Sequence, residues 1–151
     1  MAQLPCHPRV ARMLWGSTKL DKAQALACDI AAILEEKDPM ANIEAAGADL
    51  SLRISKLRQS RAHKQLGRWN RIAQIAHEYC RMIHTHEDNT DVAAECVGQL
   101  LALAYPERIG MAINGIGHFR LADGTNAMLN QSDWLSGCKW IVVASLHAAK
   151  G

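Results

Sequence analysis

The chain has no run of about 18 apolar residues, the length a membrane-spanning helix needs. It has no charged start followed by an apolar segment, so no secretory leader is expected. No pair of its five cysteines has the CxxC spacing of a zinc ribbon, and their number is odd. A disulfide framework is therefore not expected, and reduced cysteines in or near a core fit the cytoplasm. No GxxxxGK[ST] occurs, so no phosphate-cradling loop is visible. "NGIGHF" lacks the third glycine of a dinucleotide fingerprint and follows no βαβ unit. One phenylalanine among 151 residues leaves little aromatic surface for stacking. The most local absence is of acid: from Leu50 to His77 there is no Asp or Glu.

What is present argues for a folded chain. Apolar residues make up 49%, too many for general disorder. The first two thirds read as helices. Pro8 stands at a first helical turn, with Val10, Met13 and Leu14 on one face. Leu26, Ile30, Ile33 and Leu34 mark a helix from Asp21 to about Glu36, closed by Pro39. "NIEAAGADL" is ambiguous. Asp49 is a plausible N-cap for a short helix carrying Leu50, Ile54 and Leu57. Between Leu66 and Ile83 one face of a long helix holds Trp69, Ile72, Ala73, Ala76, Tyr79, Cys80 and Ile83. Ala93, Val97, Leu100, Leu101 and Ala104 define the next helix, which Pro106 stops.

From Arg108 onward the period changes. "RIGMAI", "HFRLA", "NAML" and "WIVVASL" are short β-rich segments, and Asn-Gly and Asp-Gly between them signal hairpins. Helices first and strands last predict an α+β chain: a helical part over residues 1–106 and an incomplete antiparallel β part over 107–151. Too few strands to close a barrel, and a first helix with almost no chain before it, make both ends look cut. An unpaired strand edge would also favour a homodimer.

The acid-free stretch holds Arg53, Lys56, Arg58, Arg61, Lys64, Arg68 and Arg71, while the rest of the chain has ten basic and fifteen acidic residues. On a continuous helix Arg61, Lys64, Arg68 and Arg71 would form a single stripe beside the apolar one. A solvated helix face is one reading. A footprint on nucleic-acid phosphates, which needs cations without competing carboxylates, is the other. His77, Cys80 and His84 share a helix face, with His86 close, and could hold a metal. Cys80 also belongs to the apolar stripe, so we read these histidines as incidental. No nucleophile–base set stands out, and nothing argues for catalysis by this chain alone.

The segments "LPCHPRVARML", "CDIAAILEEKDP", "GADLSLRISKLR", "LLALAYPERIG", "GHFRLADGTNAML" and "WIVVASL" resemble, in this order, the region that follows the two motor domains in HrpB-type ATP-dependent helicases, of the DEAH-box-like group of superfamily two. The resemblance covers nearly the whole chain. It implies the end of a winged helix, a ratchet-like helical bundle and the start of an OB-like barrel. It implies that ATP and magnesium belong to motor domains upstream and that this chain holds no cofactor. It further implies that the bundle and barrel line a channel for single-stranded nucleic acid, RNA above DNA, against the motor domains as partners. The basic run Arg53–Arg71 then becomes the candidate backbone contact, with Arg108 and Arg120 on the strands. The family's first barrel strand carries several arginines. Here "RIGMAINGIGHF" has only Arg108 before Arg120, which makes Met111 and Ile113 candidates for packing instead. The competing expectation is a protein-interaction module whose basic helical face meets an acidic partner.

Overall fold

The structure, a computed structural model, describes residues 7–19, 23–36, 39–40, 49–113, 115–129 and 131–143. Five helices precede a four-stranded antiparallel sheet, the expected α+β order. The helices are α1 (Pro8–Ser17), α2 (Gln24–Glu35), α3 (Leu50–Ala62), α4 (Asn70–Met82) and α5 (Ala94–Ala104). "NIEAAG", the start expected for α2 at Asp21 and the sequence beyond Val143 lie outside the described residues. Among the described residues no helix is long and apolar enough to cross a membrane.

α2 forms the centre of the bundle. Every residue from Ala25 to Ile33 is buried, so this helix has no solvent face over two turns. Its alanines let α1, α3, α4 and α5 approach closely, and one core joins all five helices. The face read along α4 is buried as expected: Ile72, Ala73, Ala76, Tyr79, Cys80 and Ile83 all enter that core, with Trp69 just before them. Pro8 is the first helical residue of α1, and the His7 side chain caps it by accepting from the Arg9 N–H. Asp49 caps α3, its carboxylate accepting the Ser51 N–H at 2.9 Å.

The condition for a single basic stripe, one continuous helix through Arg61–Arg71, is not met. α3 ends at Ala62, and Lys64 adopts left-handed backbone with φ 56°. The Gln65 N–H reaches back to the Ser60 carbonyl at 2.9 Å and the Lys64 N–H to Arg61 at 3.2 Å. These two bonds make a Schellman closure, which satisfies the last carbonyls and turns the chain. A 3₁₀ turn, Gly67–Trp69, then leads into α4. α4 ends the same way: His84 has φ 60°, Thr85 donates to Cys80 at 2.8 Å and His84 to Arg81 at 3.3 Å.

The strands are β1 (Ile109–Ala112), β2 (His118–Leu121), β3 (Asn126–Met128) and β4 (Trp140–Val142), in the order β3-β2-β1-β4. Met111 stands opposite Arg120 on one side and Trp140 on the other; Gly110 stands opposite Leu121 and Ile141. Alternation therefore puts Phe119, Leu121, Ala127 and Ile141 on an inner face with its own small core. Position 110 also falls on that face, and it is glycine there because a Cβ would come within 2.8 Å of Leu121. The Asp123-Gly124 hairpin is present, with Asp123 accepting the Thr125 N–H at 2.9 Å and Gly124 at φ 90°. Met111 corrects the sequence reading. It falls on the outer face and is 48% exposed, while its neighbours Gly110 and Ala112 face inward, so it does not pack in the sheet's core.

The sheet is tied to the helices at several points. The guanidiniums of Arg9 and Arg108 both lie over the Tyr105 ring, at 5.4 and 5.3 Å from its centroid. Arg9 also pairs with Glu107. The Trp134 indole N–H donates to the second Asp49 oxygen at 2.8 Å, and Val142 packs on the helical core.

A left-handed backbone is costly for any residue with a Cβ. His84→Gly should therefore raise stability by about 0.5–1 kcal/mol, read from the urea midpoint at unchanged m-value. An unchanged or lowered midpoint would show that the His84 side chain has a role that the turn geometry does not require.

Candidate nucleic-acid interface

The acid-free run does not act as one surface. α3 turns Arg53, Arg58 and Arg61 toward the protein, and all three side chains have internal partners. Arg53 is 7% exposed and donates to the Asp49 carbonyl at 3.0 Å. Arg58 and Arg61 converge on Asp29, which sits in the middle of α2 and is 1% exposed. Arg58 Nε reaches Asp29 Oδ2 at 3.0 Å. Arg61 grips both oxygens, Nη1 to Oδ1 at 3.1 Å and Nη2 to Oδ2 at 3.1 Å. The remaining N–H groups hold the α4–α5 loop: Arg58 Nη1 donates to the Thr90 carbonyl at 3.0 Å, Arg61 Nε to Asn89 Oδ1 at 2.6 Å and Arg61 Nη2 to the Asp88 carbonyl at 3.2 Å. Among the described residues no buried side-chain N or O lacks a partner.

Burial pushes the Asp29 carboxyl above its ordinary range, and the Arg61 and Arg58 guanidiniums oppose that shift. A buried ion triad of this kind adds little net stability, because desolvation offsets the attraction. It fixes position instead, holding α2, α3 and the loop at Asp88–Thr90 in one arrangement. Sequence reasoning did not find this role for Asp29. The signal was present: one carboxylate in the otherwise apolar stretch "ALACDIAAIL", where a lone buried acid needs cationic partners.

The cations left facing solvent are Lys56 on α3, Lys64 and Arg68 in the turn, and Arg71 at the start of α4. Arg71 has a side chain 70% exposed and lies 3.4 Å from Glu36. Lys64 sits in the Schellman turn and Arg68 in the 3₁₀ turn, not on one helical stripe. An open cleft of about 430 Å³ is lined by Arg61, Leu66, Arg71, Gln74, His77 and Glu87. Its walls mix both signs of charge. On the sheet, Arg108 is half-buried against Tyr105 and Arg120 is exposed. The sequence-predicted cations thus fall into an inward group (Arg53, Arg58, Arg61), a turn group (Lys64, Arg68, Arg71, with Lys56 up the helix) and two separate strand residues.

The histidine cluster does not converge on one point. His77 Nδ1 contacts Glu87 at 2.9 Å, Cys80 is buried, and His84 is exposed in the left-handed turn. Among the described residues no three His, Cys, Asp or Glu side chains come together as a metal site. Cys28 and Cys80 are buried neighbours, and their mutual contact and burial hold the Cys28 thiol high. Cys96, expected near a core, is exposed on α5.

Comparison with known proteins gives a consistent result. The ATP-dependent RNA helicase HrpB of Escherichia coli (strain K12) is 32% identical over 146 residues, which is 97% of this chain. The crystal structure of E. coli DExH-box NTPase HrpB superposes with a TM-score of 0.73 at 28% identity, covering 96% of this chain and 16% of that one. The crystal structure of Escherichia coli DEAH/RHA helicase HrpB gives a TM-score of 0.72 at 28% identity, covering 93% of this chain and 16% of the other. The chain spans 16% of the length of the curated relative. No protein-family model matches it.

The two groups of cations should respond oppositely to truncation. Arg58→Ala or Arg61→Ala leaves Asp29 short of a partner in the core and should cost about 3–5 kcal/mol in urea unfolding. Lys64→Ala and Arg68→Ala, at exposed positions, should stay within about 0.5 kcal/mol. Equal small effects in all four variants would mean that Asp29 does not hold the arginines.

Proposed function

Since nearly the whole chain is related in sequence and fold to one stretch of HrpB-type helicases, we propose that it serves as an accessory nucleic-acid-binding region of an ATP-dependent RNA helicase, forming one wall of a single-strand channel beside motor domains. That relation along 97% of the chain is the observation that carries the reading. The exposed cations Lys64, Arg68 and Arg71 support it. They lie in a segment whose own sequence has no carboxylate, at a chain reversal held by a backbone closure and so presented in a fixed geometry.

The division of labour follows from chemistry. The chain lacks the GxxxxGK[ST] pattern, and among the described residues no carboxylate, histidine or cysteine group is gathered for a metal. In this reading ATP and magnesium belong to the motor domains of the parent helicase, as the resemblance implies. The wall offers static cations that hold the strand's phosphates while the motors move it. Phosphate contacts position a strand without reading its sequence, which suits a helicase that must pass any base. Lys56 and Arg120 extend the basic surface along α3 and onto the sheet.

Binding of a single-stranded RNA should therefore depend on salt. Three phosphate contacts by Lys64, Arg68 and Arg71 give a log–log slope of about −2, at about −0.7 per contact. Charge reversal at Lys64 and Arg68 together should flatten that slope and weaken binding alike for every sequence, with the circular dichroism spectrum unchanged. A double variant that keeps both affinity and slope would remove the turn from the interface. Binding to a folded acidic protein, with none to RNA, would favour the interaction-module reading instead.

A further inference from the structure

Two thiols meet in the seam between α2 and α4. Arg71, at the start of α4, lies 3.4 Å from Glu36, and Tyr79 reaches back along α4 to donate to Glu35. The end of α2 thus lies beside the start of α4, and the two helices run antiparallel. From the Arg71–Glu36 pair, nine residues forward on α4 lead to Cys80 and eight residues back on α2 lead to Cys28. These are about 13 and 12 Å of helix, so the two cysteines stand level. One turn nearer the ion pair, Ala32 and Ala76 are both 0% exposed. Such small side chains let the helix axes approach toward the lower end of the usual range of about 8–10 Å. Cα atoms sit about 2.3 Å from each axis, so facing residues fall within reach of the about 4.4–6.8 Å that a disulfide spans. Cys28 and Cys80 are free, 0% and 3% exposed, and hydrogen-bonded to each other.

We propose that Cys28 and Cys80 form a dithiol that a peroxide oxidises to an internal disulfide, fastening α2 to α4. The inference does not depend on the nucleic-acid reading. The Cys28 S–H donates to the Cys80 sulfur and holds the Cys80 thiol below its ordinary value, so Cys80 is the nucleophile. Cys80 lies in the last turn of α4, and helix ends open locally at little cost, which admits a small oxidant. The Cys80 thiolate attacks one oxygen of hydrogen peroxide. The O–O bond breaks, and the departing hydroxide takes up the proton that the thiol lost and becomes water. The Cys28 sulfur then attacks the sulfur of the Cys80 sulfenic acid. The S–O bond breaks, and a second water leaves with the Cys28 proton. Two thiols have lost two electrons, and one peroxide has become two waters.

The test treats the folded full chain with hydrogen peroxide and maps the products by peptide mass spectrometry. The expected product is a monomer in which the peptides of Cys28 and Cys80 are joined, lighter by two hydrogens than their sum and separated again by a reductant. Oxidation should raise the urea midpoint, because a cross-link over a long loop constrains the unfolded chain. Cys28→Ser and Cys80→Ser should each abolish that rise. The same treatment in urea should scatter pairing over the five cysteines. Equal yield of the joined peptide in urea would overturn the proposal, since the fold would not be its cause. So would Cys28 and Cys80 both remaining thiols while the exposed Cys96 is oxidised, or Cys80 passing to sulfinic acid beside an intact Cys28 thiol. A joined peptide with a lowered midpoint would overturn the fastening. Should either serine variant not fold, the peptide map and midpoint of the parent chain still decide.

Discussion

The buried carboxylate of Asp29 is the constraint on which the arrangement of this chain depends. It sits at the centre of a helix with no solvent face, and it cannot stay there without cations. Arg58 and Arg61, a helical turn apart on α3, meet it together, and their remaining N–H groups reach the Asp88–Thr90 loop. The rotation of α3 about its axis is thereby set, and Arg53 is turned inward on the same side. With α3 so oriented, its closure at Lys64 delivers the turn and Arg68 to the surface.

A basic stretch can thus carry two unlike roles in one sequence. Arg61 grips Asp29 with the planar, bidentate geometry that lysine cannot supply, and Arg58 divides its donors between Asp29 and the loop. The outer cations need only charge and exposure. The same division recurs on the sheet, where Arg108 stacks on Tyr105 together with Arg9 and helps join sheet to helices, while Arg120 is open. The helical core and the sheet are linked by these contacts, by Asp49, which caps α3 and also binds Trp134, and by Val142 on the helical core. Turn and sheet are therefore carried on connected supports.

Local chemistry was legible in the sequence and long-range pairing was not. The α4 face from Ile72 to Ile83, the caps at Pro8 and Asp49, the stop at Pro106 and the Asp123-Gly124 hairpin each follow from a pattern within a few residues. The left-handed closure after Ala62 had no local signal, because its position is filled by Lys64 rather than glycine and the spacing of cations runs through it. Asp29 meets its arginines across 29 and 32 residues, so no local window joins them. Met111 was misread because the face of a strand residue depends on register, and only the pairing with Arg120 and Trp140 fixes it.

The central claim is that Asp29 holds Arg61 inside the protein, and a double-mutant cycle tests it directly. Urea unfolding of the parent chain, Asp29→Ala, Arg61→Ala and the double variant yields the coupling between the two side chains. A bidentate buried pair should couple by about 2–3 kcal/mol, with the double variant more stable than the sum of the single losses allows. Simple additivity, with coupling below about 0.5 kcal/mol, would mean that the two groups do not depend on each other and that the orientation of α3 has another cause.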